Sequence, residues 1–223
     1  MGLKYSKLTP RQTGELVKLF VAGSTARTAA ELVGVHRNTA ALFFSKVRAV
    51  IAARQDRAMA AAFDGPVEID ESYFGGRRKG KRGRGAAGKV AVFGILERGG
   101  KVYAQMIADC GGATLVPIVR RKVKPASVVY SDGWSGYDTL SVEGYGHERV
   151  DHDQELVSAD GGRHINGIEN FWSQAKRHLR RFNGVPKGSF PLFLQEVVWR
   201  FNAGTPREQL QSLRKLLRRR MIS

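Results

Sequence analysis

Three runs of strand-forming residues follow one another between residues 67 and 109, and their spacing limits the folds open to this chain. Each run is rich in β-branched and aromatic residues, and the three read VEIDESYF, KVAVFGILE and KVYAQMIAD. Glycines separate them, and the pair Gly99-Gly100 is typical of a tight hairpin. The pattern predicts a three-stranded antiparallel meander.

The residues after the meander extend this prediction to a mixed α/β fold. Apolar periodicity indicates a helix over 113–123, and the short apolar run ASVVYSD indicates a strand of the kind that is buried in a sheet. A further strand is predicted around HERVDH. Beyond it, three helices are predicted from HINGIENFWSQAKRHLRRF, SFPLFLQEVVWRFN and REQLQSLRKLLRRR, the first strongly amphipathic and the last strongly basic.

The N-terminal region predicts a small all-α unit of the helix-turn-helix type. The segment LTPRQTGELVKLFVAG indicates a helix that Thr9 caps and Pro10 begins. The next segment, STARTAAELVGVHRNTAALFFSKVRAVI, indicates a short helix over 25–33, a turn, and a longer helix from Arg37. In a helix-turn-helix unit the first side chains of the second helix contact base edges, and here these are Arg37 and Asn38. An ordinary helical hairpin has the same spacing, so that alternative stays open.

The charge balance favours the DNA-binding interpretation. With 37 Lys and Arg against 20 Asp and Glu, the chain carries a net charge of +17 and has a pI near 10.5. Such an excess indicates a polyanionic partner, for which nucleic acid is the leading candidate, and a basic surface without a partner is the alternative. No apolar run approaches the ~20 residues that a membrane helix needs, and one cysteine cannot build a disulfide framework or a thiolate zinc cluster. We therefore expect a cytoplasmic protein.

The stretch Asp64-Gly65-Pro66 interrupts the helical pattern and predicts a domain boundary. We expect residues 1–63 to form the helix-turn-helix domain with a helical linker. Residues 64–223 are expected to form the α/β domain, which ends in basic helices.

A glycine-rich basic segment, residues 75–89, separates the first two predicted strands. It contains no acid, and its basic residues are Arg77, Arg78, Lys79, Lys81, Arg82, Arg84 and Lys89. We interpret it as a flexible arm that neutralises DNA phosphates, with a solvated connector as the alternative.

Three acids lie where the local pattern does not favour a charge or where functional sites collect. Asp70 lies in the middle of a β-branched strand, and Asp132 directly follows a buried strand. Glu169 lies on the polar side of the amphipathic helix, together with Asn166 and Lys176. Carboxylates from a strand, a strand end and a helix can converge on a pair of Mg²⁺ ions, which promote in-line phosphoryl displacement. Each acid taken alone is more often a surface charge or a salt-bridge partner.

Three blocks of this sequence resemble the catalytic blocks of a known family. The blocks VEIDESYFGG, VVYSDGWSGY and HINGIENFWSQAKRHLRRFNGV are similar to those of bacterial insertion-sequence DDE transposases of the group related to Merlin DNA transposons, which carry an ISXO-like transposase domain. The resemblance covers residues 66–203 and preserves the family order. It implies a ribonuclease H-like fold whose catalytic and metal-binding triad is Asp70, Asp132 and Glu169.

The resemblance also implies a cofactor and DNA contacts. Two divalent ions are expected, Mg²⁺ with Mn²⁺ as a substitute. Within the third block, the expected DNA contacts are Asn166, Lys176 and Arg180. Some relatives carry Asn in place of the third acid, which makes Glu169 the least constrained of the three. Family members often carry an N-terminal cysteine-rich zinc ribbon, whereas Cys110 alone cannot form one.

The function implied is that of a DNA transposase, which cuts at insertion-sequence ends and joins the 3′-hydroxyl to target DNA by two-metal phosphoryl transfer. Double-stranded DNA is then the partner, and the pairing of two ends implies a homo-oligomer in a synaptic complex. A metal-dependent endonuclease of the same fold without strand transfer is one alternative. A non-catalytic or domesticated DNA-binding regulator is another.

Overall fold

The first helix begins as predicted, with Thr9 as its cap and Pro10 as its first residue. The computed structural model describes residues 8–58, 63–75, 89–132, 144–150 and 165–221, and its first helices are α1 (Pro10–Val21), α2 (Ala26–Val33) and α3 (Arg37–Ala58). The Thr9 hydroxyl accepts the Gln12 N–H at 3.2 Å while the Gln12 side chain accepts the Thr9 N–H at 3.0 Å, which is a capping box. Gly34 ends α2 at φ 70°, in the left-handed region that glycine adopts without strain.

Five strands form one mixed sheet. The elements after α3 are β1 (Val67–Phe74), β2 (Val90–Glu97), β3 (Val102–Ile107), α4 (Gly112–Lys122), β4 (Val128–Asp132) and β5 (Gly146–Val150). The strand order is β3-β2-β1-β4-β5, in which β1, β2 and β3 pair antiparallel while β4 pairs parallel with both β1 and β5. The predicted meander is confirmed, and the whole sheet has the ribonuclease H-like arrangement.

The sheet is covered by the most amphipathic of the predicted helices. The last three helices are α5 (Asn166–Arg180), α6 (Phe190–Asn202) and α7 (Pro206–Met221). The apolar residues of α5 that share one face are all buried, and these are Ile168, Phe171, Trp172, Ala175 and Leu179. They pack with β1, β2, β3 and α6 in a single apolar cluster, so that burial of this face holds α5 on the sheet.

Two glycines allow α5 to approach the sheet closely. A Cβ built on Gly94 in β2 would lie 2.6 Å from Cζ2 of Trp172, and one built on Gly167 in α5 would lie 2.4 Å from Cδ2 of Leu96. Real Cβ atoms do not reach these separations. A side chain at Gly94 would therefore displace Trp172, and one at Gly167 would force the side chains of Leu96 and Glu68 to shift.

The C-terminal helices complete the core of the N-terminal helices. Trp199 of α6 and Leu213 and Leu217 of α7 are buried together with Phe20 and Phe44. The apolar core of the N-terminal helices therefore includes residues from the far end of the chain. The division into domains at residues 63 and 64 stays a prediction.

A buried ion cluster joins α3, α5 and α6. Arg48 Nε donates to Oε2 of Glu196 at 2.6 Å, Arg200 Nε donates to Oε1 at 2.8 Å, and His178 Nε2 lies 3.0 Å from the same Oε1. Burial opposes the charge of Glu196, but the hydrogen bond with His178 and the charges of Arg200 and Arg48 outweigh it and lower the pKa of Glu196 to about 2. Arg200 also donates to the carbonyl oxygens of Phe20 and Val21, at 2.5 and 2.9 Å, which fastens the end of α1 to the cluster.

Among the helices that the structure describes, none is long and apolar enough to cross a membrane.

Replacing Gly94 with alanine should destabilise the protein, because the new methyl group would overlap Trp172 and Ile168. We expect a loss of about 1–3 kcal/mol in the free energy of unfolding, measured by urea denaturation. Gly14→Ala is the matched control, since nothing lies within 4 Å of a Cβ at that helical position. It should stabilise α1 by about 0.5–1 kcal/mol, and equal effects of the two substitutions would contradict the close contact between α5 and β2.

Candidate active site

Asp70 and Asp132 lie side by side on the two central strands. In the parallel pairing of β1 with β4, Val67 is opposite Val129 and Glu68 is opposite Tyr130. The same register, continued by two residues, brings Asp70 opposite Asp132. Residues two apart on a strand point to the same face, so Asp70 lies on the face of Glu68 and Asp132 lies on the face of Tyr130. Because Glu68 and Tyr130 are paired, the sheet brings the two carboxylates to the same face, opposite each other. The negative charge of Asp132 is one of the causes that raise the pKa of Asp70, in agreement with this pairing.

The carboxyl group of Asp70 is held in an environment that disfavours its charge. Burial, with the nearby negative charges of Glu71 and Asp132, raises the pKa of Asp70 to about 7. The Glu71 N–H donates to Oδ1 of Asp70 at 2.7 Å and lowers the pKa, but by less than burial raises it. Perturbed carboxylates of this kind concentrate at functional sites.

The indole of Trp172 covers Asp70 from the helix side. Gly94 is the cross-strand partner of Asp70, and the Trp172 ring lies directly over Gly94. Trp172 is 4% exposed, and its indole N–H has no hydrogen-bond partner of normal geometry in the described part of the chain. That N–H is near enough to Asp70 to lower its pKa slightly, although no hydrogen bond of normal geometry forms.

Glu169 lies in the first turn of α5 and is exposed. Asn166, Ser173 and Lys176 are exposed on the same helix, which confirms the predicted polar side. Within the described ranges no three His, Cys, Asp or Glu side chains are close enough to hold a metal ion together. The structure thus brings Asp70 and Asp132 together, and the participation of Glu169 stays a prediction.

The predicted DNA contacts divide between described and undescribed parts of the chain. Arg37 and Asn38 are exposed at the start of α3, where the Asn38 N–H donates to Nδ1 of His36 at 3.3 Å. Lys176 and Arg180 are exposed on α5. The basic residues of the segment before β2 lie outside the described residues, apart from Lys89, and these are Arg77, Arg78, Lys79, Lys81, Arg82 and Arg84.

One residue of this site, Glu68, was not singled out by the sequence patterns. It lies on β1 two residues before Asp70 and is 1% exposed, and its Oε2 accepts the backbone N–H of Ile168 at 2.8 Å. The alternation of β1 predicts that it shares a face with Asp70. Its partner, however, is 100 residues further along the chain, so no local pattern identifies the contact.

The donor set fits a divalent cation. Asp70 and Asp132 supply carboxylate oxygens, which are the ligands that Mg²⁺ and Mn²⁺ accept. Part of the raised pKa of Asp70 comes from the negative charge of Asp132, and a cation shared by the two would relieve this repulsion.

A mixed sheet with adjacent acids on its central strands defines the class of ribonuclease H-like domains, and the sequence comparison gives the family. The ISXO2-like transposase domain matches residues 62–202. The chain belongs to this family of insertion-sequence transposases.

Two sequence relatives are named for transposases or transposable elements, and one solved structure is similar at low identity. A transposase-like protein of Haemophilus influenzae is 43% identical over 122 residues, which cover 55% of this chain and 98% of that protein. A protein of the transposable element ISH50 of Halobacterium salinarum is 31% identical over 150 residues, which cover 59% of this chain and 50% of that protein. The Mos1 strand transfer complex matches at a TM-score of 0.38 and 14% identity, over 98% of this chain and 79% of that one.

The raised pKa of Asp70 predicts how stability changes with pH when divalent ions are removed. The native state binds this proton more tightly than the unfolded state, so the charge of Asp70 should cost stability as pH rises from about 4 to about 7. Asp70→Asn removes that cost. In EDTA, the free energy of unfolding of the Asp70→Asn variant should exceed that of the wild type by roughly 1–3 kcal/mol at pH 8. The difference between the two proteins should shrink towards pH 4.

Denaturation curves at several pH values provide the measurement. Asp64→Asn is the matched control, because its carboxylate is 74% exposed and pairs only at the surface with Lys124. We expect it to change the free energy of unfolding by less than about 0.5 kcal/mol. An Asp70→Asn difference that does not change with pH would contradict the burial of the Asp70 charge.

Proposed function

We propose that this protein is a DNA transposase that cuts at insertion-sequence ends and joins the resulting 3′-hydroxyl to target DNA. The observation that carries the proposal is the pairing of Asp70 with Asp132 across the two central parallel strands, within a chain that belongs to a transposase family. Glu169 is the third carboxylate of the proposed site. It lies in the first turn of the helix that covers Asp70, from which it would complete the site.

Asp70, Asp132 and Glu169 would hold two divalent ions, Mg²⁺ or Mn²⁺. When bound, such ions supply positive charge that stabilises the attacking and leaving oxygens of a phosphoryl displacement. Lys176 and Arg180 are exposed on α5, about two and three turns beyond Glu169. They bind the phosphates of the DNA that enters the site. The buried Trp172 keeps water from the helix side of Asp70.

The reaction consists of two phosphoryl transfers. In the first, water attacks the phosphodiester at the element end, the bond to the 3′ oxygen breaks, and a 3′-hydroxyl is released. In the second, that hydroxyl attacks a phosphodiester of the target, and the target strand leaves with its own 3′-hydroxyl. Both steps need positioning and charge stabilisation more than a covalent protein intermediate.

Recognition of the element end is assigned to α3. Its first residues, Arg37 and Asn38, are exposed and reach base edges in the major groove, as in other helix-turn-helix units. The basic segment before β2 contacts phosphates without regard to sequence. Because two element ends must be held together, the active form is a homo-oligomer.

The proposal is tested with purified protein, Mg²⁺, a labelled duplex that carries the flanking element end, and a plasmid target. Asp70→Asn and Asp132→Asn should each lower the rate of joining more than about 100-fold, which corresponds to about 2.7 kcal/mol of transition-state stabilisation. DNA affinity should change little, because these residues bind metal rather than phosphate. Asp64→Asn is the control and should join at the wild-type rate.

The other outcomes separate the alternative functions. Nicking without joining would identify a metal-dependent endonuclease. Salt-dependent binding with no metal-dependent chemistry would identify a regulator or a domesticated relative. If the aspartate variants lost DNA binding and joining in parallel, the metal-binding role of the two residues would be contradicted.

Recognition by α3 predicts a loss of discrimination in the Arg37→Ala variant. Its affinity for the element end should fall by about 1–3 kcal/mol relative to random DNA, measured by fluorescence anisotropy over a range of salt. Neutralising Arg77, Arg78 and Lys79 together should instead weaken binding to both DNAs alike and flatten the salt dependence. If Arg37→Ala lowered the affinity for both DNAs equally, α3 would be excluded as the helix that contacts base edges.

A further inference from the structure

The first turn of α5 is capped by a residue of the sheet. A helix begins with backbone N–H groups that have no partner inside the helix, and a polar side chain at the N-cap usually accepts one of them. The N-cap of α5 is Ile165, which cannot do so. Glu68 of β1 accepts the N–H of Ile168 instead, at 2.8 Å. A carboxylate at this end of a helix also interacts favourably with the helix dipole.

Both oxygens of Glu68 have partners. Oε2 accepts the Ile168 N–H, and Oε1 accepts Nε of Arg98 at 3.3 Å. The Arg98 guanidinium stacks over the ring of Tyr130 in β4, 3.5 Å from its centroid. Glu68 is therefore held between the strand that carries Asp132 and the helix that carries Glu169. Each of its oxygens thus accepts a hydrogen bond from a group that helps to hold α5 and β4 in place.

Beyond this contact, α5 and β1 advance by nearly the same distance along the sheet. The backbone of Ile168 contacts Glu68. Trp172, four residues later in α5, lies over Gly94, which is paired with Asp70 across the strands. Four helical residues rise about 6 Å, and two strand residues rise about 6.6 Å. The contact at Glu68 thus fixes the position of α5 along β1. Glu169, the residue after Ile168, is fixed relative to Asp70 by the same contact.

Gly167 leaves room for this arrangement. A Cβ at that position would lie 2.8 Å from Oε2 of Glu68. A side chain at residue 167 would therefore force the Glu68 carboxylate to shift from this position.

We propose that Glu68 is a positioning residue, which anchors the first turn of α5 to β1 and so places Glu169 beside Asp70 and Asp132. This inference rests on the proposed function, in which Glu169 is the third carboxylate. Glu68 acts through the backbone of Ile168 and touches neither substrate nor metal.

The test compares three variants. Glu68→Ala removes the acceptor for the Ile168 N–H, and Glu68→Gln keeps an oxygen acceptor without the charge. Arg98→Gln removes the ion pair but leaves the Glu68 carboxylate in place. For each, hydrogen exchange of the Ile168 amide is measured by NMR on the full chain without DNA or metal. The joining rate and DNA affinity are measured in the same preparations, with the rate normalised to the folded fraction.

Glu68→Ala should accelerate exchange at Ile168 about tenfold or more and lower the joining rate about 10–100-fold, with DNA affinity unchanged. Glu68→Gln should restore most of both properties. Arg98→Gln should resemble the wild type in exchange at Ile168.

Three results would overturn the proposal. In the first, Glu68→Gln is as inactive as Asp70→Asn, which would make Glu68 a catalytic carboxylate. In the second, exchange at Ile168 is unchanged in Glu68→Ala. In the third, exchange is faster but joining per folded molecule stays at the wild-type rate.

Failure of the proposed function has a different signature. A wild-type protein that binds DNA but never joins it would overturn the transposase proposal. Exchange at Ile168 in the same variants would still confirm or overturn the anchoring of α5 by Glu68.

Discussion

The buried carboxylate of Glu196 is the interaction on which the arrangement of the helices depends. It is 1% exposed and is compensated by Arg48 from α3, His178 from α5 and Arg200 from its own helix. Burying an ionised carboxylate is costly unless it is paired and hydrogen-bonded, so removing one partner from such a cluster costs about 3–5 kcal/mol. The helices that supply the partners are therefore held to one relative position. The three phenylalanine rings within 5.5 Å of the Arg48 guanidinium carbon exclude water from the cluster.

Helix α5 is held at both ends by charged groups and in the middle by close packing. Its last turns carry His178, which contacts Glu196, and its first turn is bonded to Glu68. Between them, Trp172 rests on Gly94 without an intervening side chain. A helix restrained in this way has little freedom to slide or rotate on the sheet. Its exposed face, which includes Glu169 and Lys176, is consequently presented in a fixed direction.

Local sequence patterns were sufficient to predict the helices and strands. The contacts that arrange these elements relative to one another could not be predicted from local patterns. The meander, the buried strand before Asp132 and the amphipathic helix from Asn166 are confirmed, because alternation and helical periodicity depend only on neighbouring residues. The pairing of Asp70 with Asp132 follows once β1 and β4 are known to be parallel neighbours. The contact between Glu68 and Ile168 spans 100 residues, and the one between Arg48 and Glu196 spans 148. A charged residue in a strand or helix carries no local sign of such a partner.

The same long-range contacts fix the position of α3, the proposed DNA-recognition helix, relative to the distant active site. Helix α3 carries Arg37 at its exposed start and Arg48 eleven residues later, about 16 Å along a straight helix. Arg48 contacts Glu196, and Glu196 contacts His178 on the helix that covers Asp70. These side-chain contacts are buried or partly buried and join regular elements, so the start of α3 has a defined position relative to the paired aspartates. In the proposed function, DNA bound at Arg37 would be presented to the active site at a set distance by the fold itself, without reliance on a flexible tether.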